Sequence, residues 1–92
     1  MFTAQDQARR GDRLKEDRTP AEAGIARDVL GRLGEPDGLH TVQVKPVSGG
    51  KYRVNVYVRA AAASYRVAHS YFVEADGDGR VLASSPTIAR LY

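Results

Sequence analysis

The sequence predicts an α+β fold: one N-terminal helix packed on a four-stranded antiparallel meander sheet, in two layers. Three observations carry that expectation. Thr19-Pro20-Ala21-Glu22 opens a stretch whose apolar residues recur at helical spacing. Residues 51–59, Lys-Tyr-Arg-Val-Asn-Val-Tyr-Val-Arg, alternate strictly between apolar and polar. Two glycine-rich tetrapeptides, at 48–51 and 76–79, sit between alternating runs as hairpin turns do.

Residues 1–18 mix charges of both signs, and Phe2 and Leu14 are their only large apolar side chains. Such a segment buries too little apolar surface to offset the entropy of ordering it. It is expected to be a charged, flexible arm, with residues 19–92 forming a single domain.

In the helix, Thr19 is placed to accept from the third helical N–H, and Glu22 to reach back to the Thr19 N–H. Pro20 occupies the first helical position, where a missing N–H costs nothing. Ala21, Ile25, Ala26, Val29, Leu30 and Leu33 form the apolar stripe. Gly34 and Pro36 stop the helix, which should span about residues 20–33. Glu35-Pro36-Asp37-Gly38 then reads as a turn.

The first strand runs from Leu39 to Val47, with Val42 and Val44 inward, Gln43 and Lys45 outward, and Pro46 at its end or edge. Ser48-Gly49-Gly50-Lys51 turns the chain into the second strand, Lys51 to about Arg59. Val54, Val56 and Val58 face inward, and Arg53, Asn55, Tyr57 and Arg59 outward. Ala60 to Ser64 favours neither strand nor turn and reads as a short connection. In the third strand, Tyr65 to Ala75, the alternation sets Val67, His69, Tyr71 and Val73 inward. It sets Arg66, Ala68, Ser70, Phe72 and Glu74 outward. Asp76-Gly77-Asp78-Gly79 closes a hairpin into a fourth strand, Arg80 to Ser84. In that strand Val81/Ala83 compete with Leu82 for the inner face. The tail, Thr87 to Tyr92, keeps three large apolar side chains and should dock on the fold.

The closing segment, Tyr71-Phe72-Val73-Glu74-Ala75-Asp76-Gly77-Asp78-Gly79-Arg80-Val81-Leu82, resembles the closing hairpin of PepSY-type modules. More loosely, the helix-then-sheet order resembles cystatin-like folds. The likeness covers the last third of the chain in residue detail. A PepSY-type resemblance implies a module that works outside the cytoplasm and restrains proteases.

Composition narrows the chemistry. The 92 residues hold no cysteine, so there is no disulfide framework and no thiolate. The chain opens without the apolar core of a secretory signal, and no apolar run is long enough to span a bilayer. A cytoplasmic location is the expectation. The formal charge is +3, unevenly placed: residues 1–38 carry seven Lys/Arg against eight Asp/Glu, and residues 39–92 carry seven against three. The strand-rich part is the basic part, and a positive sheet attracts polyanions or acidic protein surfaces.

Catalytic signatures are missing. No serine lies in a G-x-S-x-G context, and neither a dinucleotide fingerprint nor a phosphate loop is present. Asp76-Gly77-Asp78-Gly79 looks superficially like a calcium loop. Counted from Asp76, however, the fifth position is Arg80 and the twelfth Thr87, where calcium needs oxygen ligands. His40 and His69 have no partners at metal-ligand spacing. The expectation is a non-enzymatic protein with no cofactor, no metal and no small-molecule ligand.

One helix covers one sheet face, which leaves the other face to solvent or a partner. By alternation that face shows Gln43, Lys45, Arg53, Asn55, Tyr57, Arg59, Arg66, Ser70 and Phe72, all but Gln43 and Ser70 taken as candidate contact residues. Tyr and Arg concentrate at the centres of protein contacts. A small domain with a bare sheet face also has the option of burying it against its own copy. The sequence therefore points to a binding module that self-associates or binds protein, with Tyr57 and Phe72 as apolar anchors. Arginines beside aromatics on a sheet also suit single-stranded nucleic acid, the alternative reading.

Overall fold

A computed structural model describes residues 18–92. The charged arm expected for residues 1–18 lies outside the described residues, apart from Arg18. Helix α1 spans Pro20–Leu33, and four strands follow: β1 Leu39–Ser48, β2 Lys51–Ala61, β3 Ser64–Ala75 and β4 Val81–Ser85. They form one antiparallel sheet in the order β1-β2-β3-β4. This is the two-layer α+β meander that the sequence predicts.

The capping box forms as the residue types dictate. The Glu22 N–H donates to Thr19 Oγ1 at 3.1 Å, and the Thr19 N–H donates to Glu22 Oε1 at 3.2 Å. At the other end the Gly34 N–H donates to the Leu30 carbonyl at 2.8 Å. The helix stripe Ile25, Ala26, Val29 and Leu33 packs on Val42, Val54, Val56, Tyr71, Val73, Ala75 and Val81. Ile25, Val29, Leu33, Val54 and Val56 are wholly removed from solvent. No polar side chain is buried among the described residues, so apolar burial dominates this small core.

The turns follow their glycines. Gly49 and Gly50 both have positive φ, 49° and 77°, as a two-residue hairpin turn with the sheet's own twist requires. Ser48 and Lys51 pair directly across it. In the second hairpin the strands run further than the sequence suggests. Ala61 pairs with Ser64, and Ala62-Ala63 alone make the turn. In the third hairpin the Asp76 carboxylate accepts from the Asp78 N–H at 3.0 Å and the Arg80 N–H at 2.9 Å. These bonds hold its carboxyl below the ordinary range, with the Arg80 N–H contributing most. The aspartate is engaged by its own turn.

The sheet departs from simple alternation in β3. Val56 pairs with His69 but Tyr57 pairs with Val67, so Ala68 is an extra residue, a bulge. Beyond it the two faces exchange. Val67, expected inside, lies opposite Tyr57 on the open face and is 44% exposed. Arg66, expected on the open face, pairs with Val58 on the helix side. The cause is the lack of burial there. Ser64 to Val67 are all exposed, so no core fixes their parity. A second irregularity settles β4: Ala75 pairs with Val81 and Glu74 with Ala83. Val81 is therefore buried, while Leu82 bulges outward, 59% exposed.

The tail docks, as its apolar residues suggest. Ile88 packs against the core, and its N–H donates to Ser84 Oγ at 3.2 Å. The Leu91 and Tyr92 amides both donate to the Leu33 carbonyl, at 2.9 and 3.2 Å. They satisfy an acceptor that a helix end leaves free. The Tyr92 hydroxyl lies 2.8 Å from His69 Nε2. His69 thus has a partner of its own on the inner face.

Candidate interaction surface

The open face is the side of the sheet away from α1. Strand pairing sets its residues in rows. Lys45, Arg53, Phe72 and Ser85 form one row; Gln43, Asn55 and Ser70 the next; Thr41, Tyr57 and Val67 the third. Arg59 and Tyr65 pair at one end, and Lys51 and Glu74 at the other. Six of the seven residues predicted for this surface share it: Lys45, Arg53, Asn55, Tyr57, Arg59 and Phe72. Arg66 does not, because of the Ala68 bulge.

The same bulge adds residues that alternation misses. Tyr65 and Val67 join the open face, 46% and 44% exposed, beside Phe72 at 38%. His40 stacks on Tyr65 with ring centroids 3.9 Å apart and planes 21° from parallel. His40 is itself the unpaired residue at a register shift in β1, between Leu39–Val58 and Thr41–Tyr57. Two irregularities on either side of β2 thus gather an aromatic pair beside Arg59. The sequence carries no signal for this, since Tyr65-Arg66-Val67 alternates acceptably in either parity.

The middle of the face is polar and internally bonded. Ser70 Oγ donates to Asn55 Oδ1 at 2.7 Å, and Asn55 Nδ2 donates to Gln43 Oε1 at 3.4 Å. The Tyr57 hydroxyl donates to the same Gln43 oxygen at 3.4 Å, and Arg53 donates to Ser70 Oγ at 3.2 Å. These bonds fix side chains that would otherwise wander, which lowers the ordering cost of a contact. Among the described residues no carboxylate forms an ion pair with Lys45, Arg53 or Arg59.

Both outer strands have side-chain partners on their backbones. Asp28 Oδ2 accepts from the Val81 N–H at 2.8 Å, and Arg32 donates to the Val81 carbonyl at 2.9 Å. The two side chains also bond each other, at 3.1 and 3.3 Å. On β1 the Arg18 guanidinium donates to the Val42 carbonyl, and Pro46 has no N–H to offer. Charged side chains and proline are the usual means of closing a sheet edge to foreign strands.

Away from this face, Gly24, Arg27, Gly31, Gly79 and Arg80 line a shallow groove between α1 and the β3–β4 turn. Among the described residues no three His, Cys, Asp or Glu side chains gather as a metal site would need. Nor is any helix there long and apolar enough to cross a membrane.

Comparison of the chain with protein-family models, curated proteins and solved structures gave no match. The surface must therefore be read from its own chemistry.

Proposed function

We propose that the protein is a small, non-enzymatic binding module that associates with protein through its open sheet face. The partner is a second copy of the chain or a different one. The observation that carries this reading is the partly exposed trio Phe72, Val67 and Tyr65 beside Lys45, Arg53 and Arg59, which have no ion-pair partner among the described residues, on the sheet face opposite α1. Aromatic anchors beside arginine are the usual centre of a protein contact. The hydrogen-bonded middle supplies a preset polar pattern.

Solution mass and thermal melting of the wild type and Tyr57→Glu test this reading. Self-association predicts a mass that rises with concentration and falls to monomer in the variant, whose melting is little changed. Association with another chain predicts a monomer whose open-face amides shift when the partner is added. A Tyr57→Glu protein that no longer folds would contradict both, because Tyr57 would then be holding the fold.

Single-stranded nucleic acid is the second reading. The cross-strand pairs Arg53–Phe72 and Arg59–Tyr65 favour it, since each joins a phosphate-neutralising group to a ring on which bases stack. That reading predicts steep weakening with salt and a shallower slope in Arg53→Ala.

A further inference from the structure

The reading of the open face as a protein-binding surface can be carried to the chemistry of its partner. Three observations constrain it.

The first concerns the edges. Val81 is held by Asp28 and Arg32, and the Val42 carbonyl by Arg18, so one backbone position on each outer strand is already engaged. Strand addition, which relies on main-chain bonding along an edge, is interrupted at those positions. Side chains on the face offer a partner the continuous surface.

The second is charge. Among the described residues, Lys45, Lys51, Arg53 and Arg59 lie on the open face against one carboxylate, Glu74. A two-fold contact would press two such faces together, like charge against like charge. An anionic partner is complementary and a second copy is not.

The third is spacing. Arg53 and Arg59 are six residues apart on β2, roughly 20 Å at about 3.3 Å per residue. Between them lies the neutral network of Gln43, Asn55, Ser70 and Tyr57. A nucleic acid carries a phosphate at every nucleotide and would set several over that neutral middle. A polypeptide can space its carboxylates and lay neutral side chains between them.

We infer that the open face receives an acidic, amphipathic polypeptide segment of another chain. Its carboxylates meet Lys45 and Arg53 at one end and Arg59 at the other. Its apolar side chains rest on Phe72, Val67 and Tyr65.

The test is fluorescence anisotropy of the full chain with a labelled peptide that carries glutamates at its two ends and alternating leucine and serine between them, beside a labelled oligothymidine. Two charge-matched double variants are compared: Arg53→Ser/Arg59→Ser on the face, and Arg27→Ser/Arg80→Ser in the groove. Circular dichroism melts check that both fold. The inference predicts that the face variant weakens peptide binding about tenfold or more, a loss of about 1.4 kcal/mol. The groove variant should change it by less than about twofold, as screened, distant charges do. Equal losses in both variants would reduce the effect to net charge and overturn the inference. Tighter binding of oligothymidine through Arg53 and Arg59 would overturn it in favour of nucleic acid. A dimer without peptide that Tyr57→Glu converts to monomer would overturn it too, while keeping the open face as the binding surface. No peptide binding, with a mass that Tyr57→Glu leaves unchanged, would remove both the inference and the reading beneath it.

Discussion

Asp28 and Val81 are joined across 53 residues of sequence by a 2.8 Å bond from the Val81 N–H to the Asp28 carboxylate. Arg32, one helical turn on, completes the clasp by donating to the Val81 carbonyl at 2.9 Å. The helix thus stands where a further strand would pair at this position. It ties the shortest strand to the layer above and shuts the backbone of Val81 to other chains. Both consequences follow from a single i,i+4 pair on the wet flank of α1.

Replacing Asp28 by alanine should therefore cost more than a surface pair would. The Val81 N–H loses a charged acceptor in a half-buried setting, and the Arg32 guanidinium loses its ion-pair partner while keeping the Val81 carbonyl. The expected loss is about 1–3 kcal/mol. Urea denaturation checks it, and an unchanged midpoint would mean that water replaces the carboxylate at no cost.

Two glycines of α1 should respond to alanine with opposite signs. A Cβ on Gly24 would lie 2.5 Å from the Asp78 carbonyl, and backbone there cannot easily give way. A Cβ on Gly31 meets nothing within 4 Å. Gly31→Ala should stabilise by about 0.5–1 kcal/mol through helix propensity. Gly24→Ala should destabilise by about 1–3 kcal/mol, as overpacking does. Paired thermal melts decide; two shifts in the same direction would refute the close approach of helix and turn.

The pH dependence has an acid and an alkaline limb. The depressed carboxyl of Asp76 stabilises the fold at neutral pH, and this is lost as pH falls through its lowered pKa. Asp76→Asn keeps an oxygen for the turn and should flatten that limb. Tyr71 has a raised pKa, first from burial and then from Tyr92. Its contribution is complete below the ordinary tyrosine value, about pH 10, and fades as pH climbs beyond it. Tyr71→Phe should flatten the alkaline limb. Denaturation midpoints across pH for both variants check the assignments, and limbs that keep their wild-type slopes would reject them.

The tail makes a smaller contribution. Tyr92→Phe removes the hydroxyl that meets His69 Nε2 and keeps the ring. The site is exposed, so the loss should be about 0.5–1 kcal/mol. The Leu91 and Tyr92 amides bonded to Leu33 should remain slow to exchange in the variant. Fast exchange at those amides would show that the hydroxyl, not the main chain, anchors the tail.

Local chemistry made much of this fold readable. Thr19 with Glu22 marked the helix start, Gly49-Gly50 the first hairpin, and Val54, Val56 and Val58 the inner face of β2. Each of those signals acts over a few residues and is enforced by burial. What escaped the sequence was non-local. Nothing near Ala68 announces a bulge, because Tyr65-Arg66-Val67 alternates acceptably in either parity, and no core lies over that stretch to choose. Arg66 was therefore misplaced, and Tyr65, Val67 and His40 were overlooked as part of the surface. The clasp on Val81 was equally hidden, because Asp28 and Arg32 meet β4 across 53 and 49 residues of sequence. Arg53, Asn55, Tyr57 and Arg59 were legible because strict alternation along β2 needs only one buried face, and Lys45 and Phe72 followed from the same alternation in β1 and β3.

The central claim is that the open sheet face is the working surface of this protein. The most direct test is an amide chemical-shift titration of the full chain with the same glutamate-ended peptide. Binding at the open face predicts shifts that gather at Lys45, Arg53, Asn55, Tyr57, Arg59, Tyr65 and Phe72 and leave α1 and the tail still. Shifts gathered instead at Gly24, Arg27, Gly79 and Arg80 would place binding in the groove between helix and turn and contradict it.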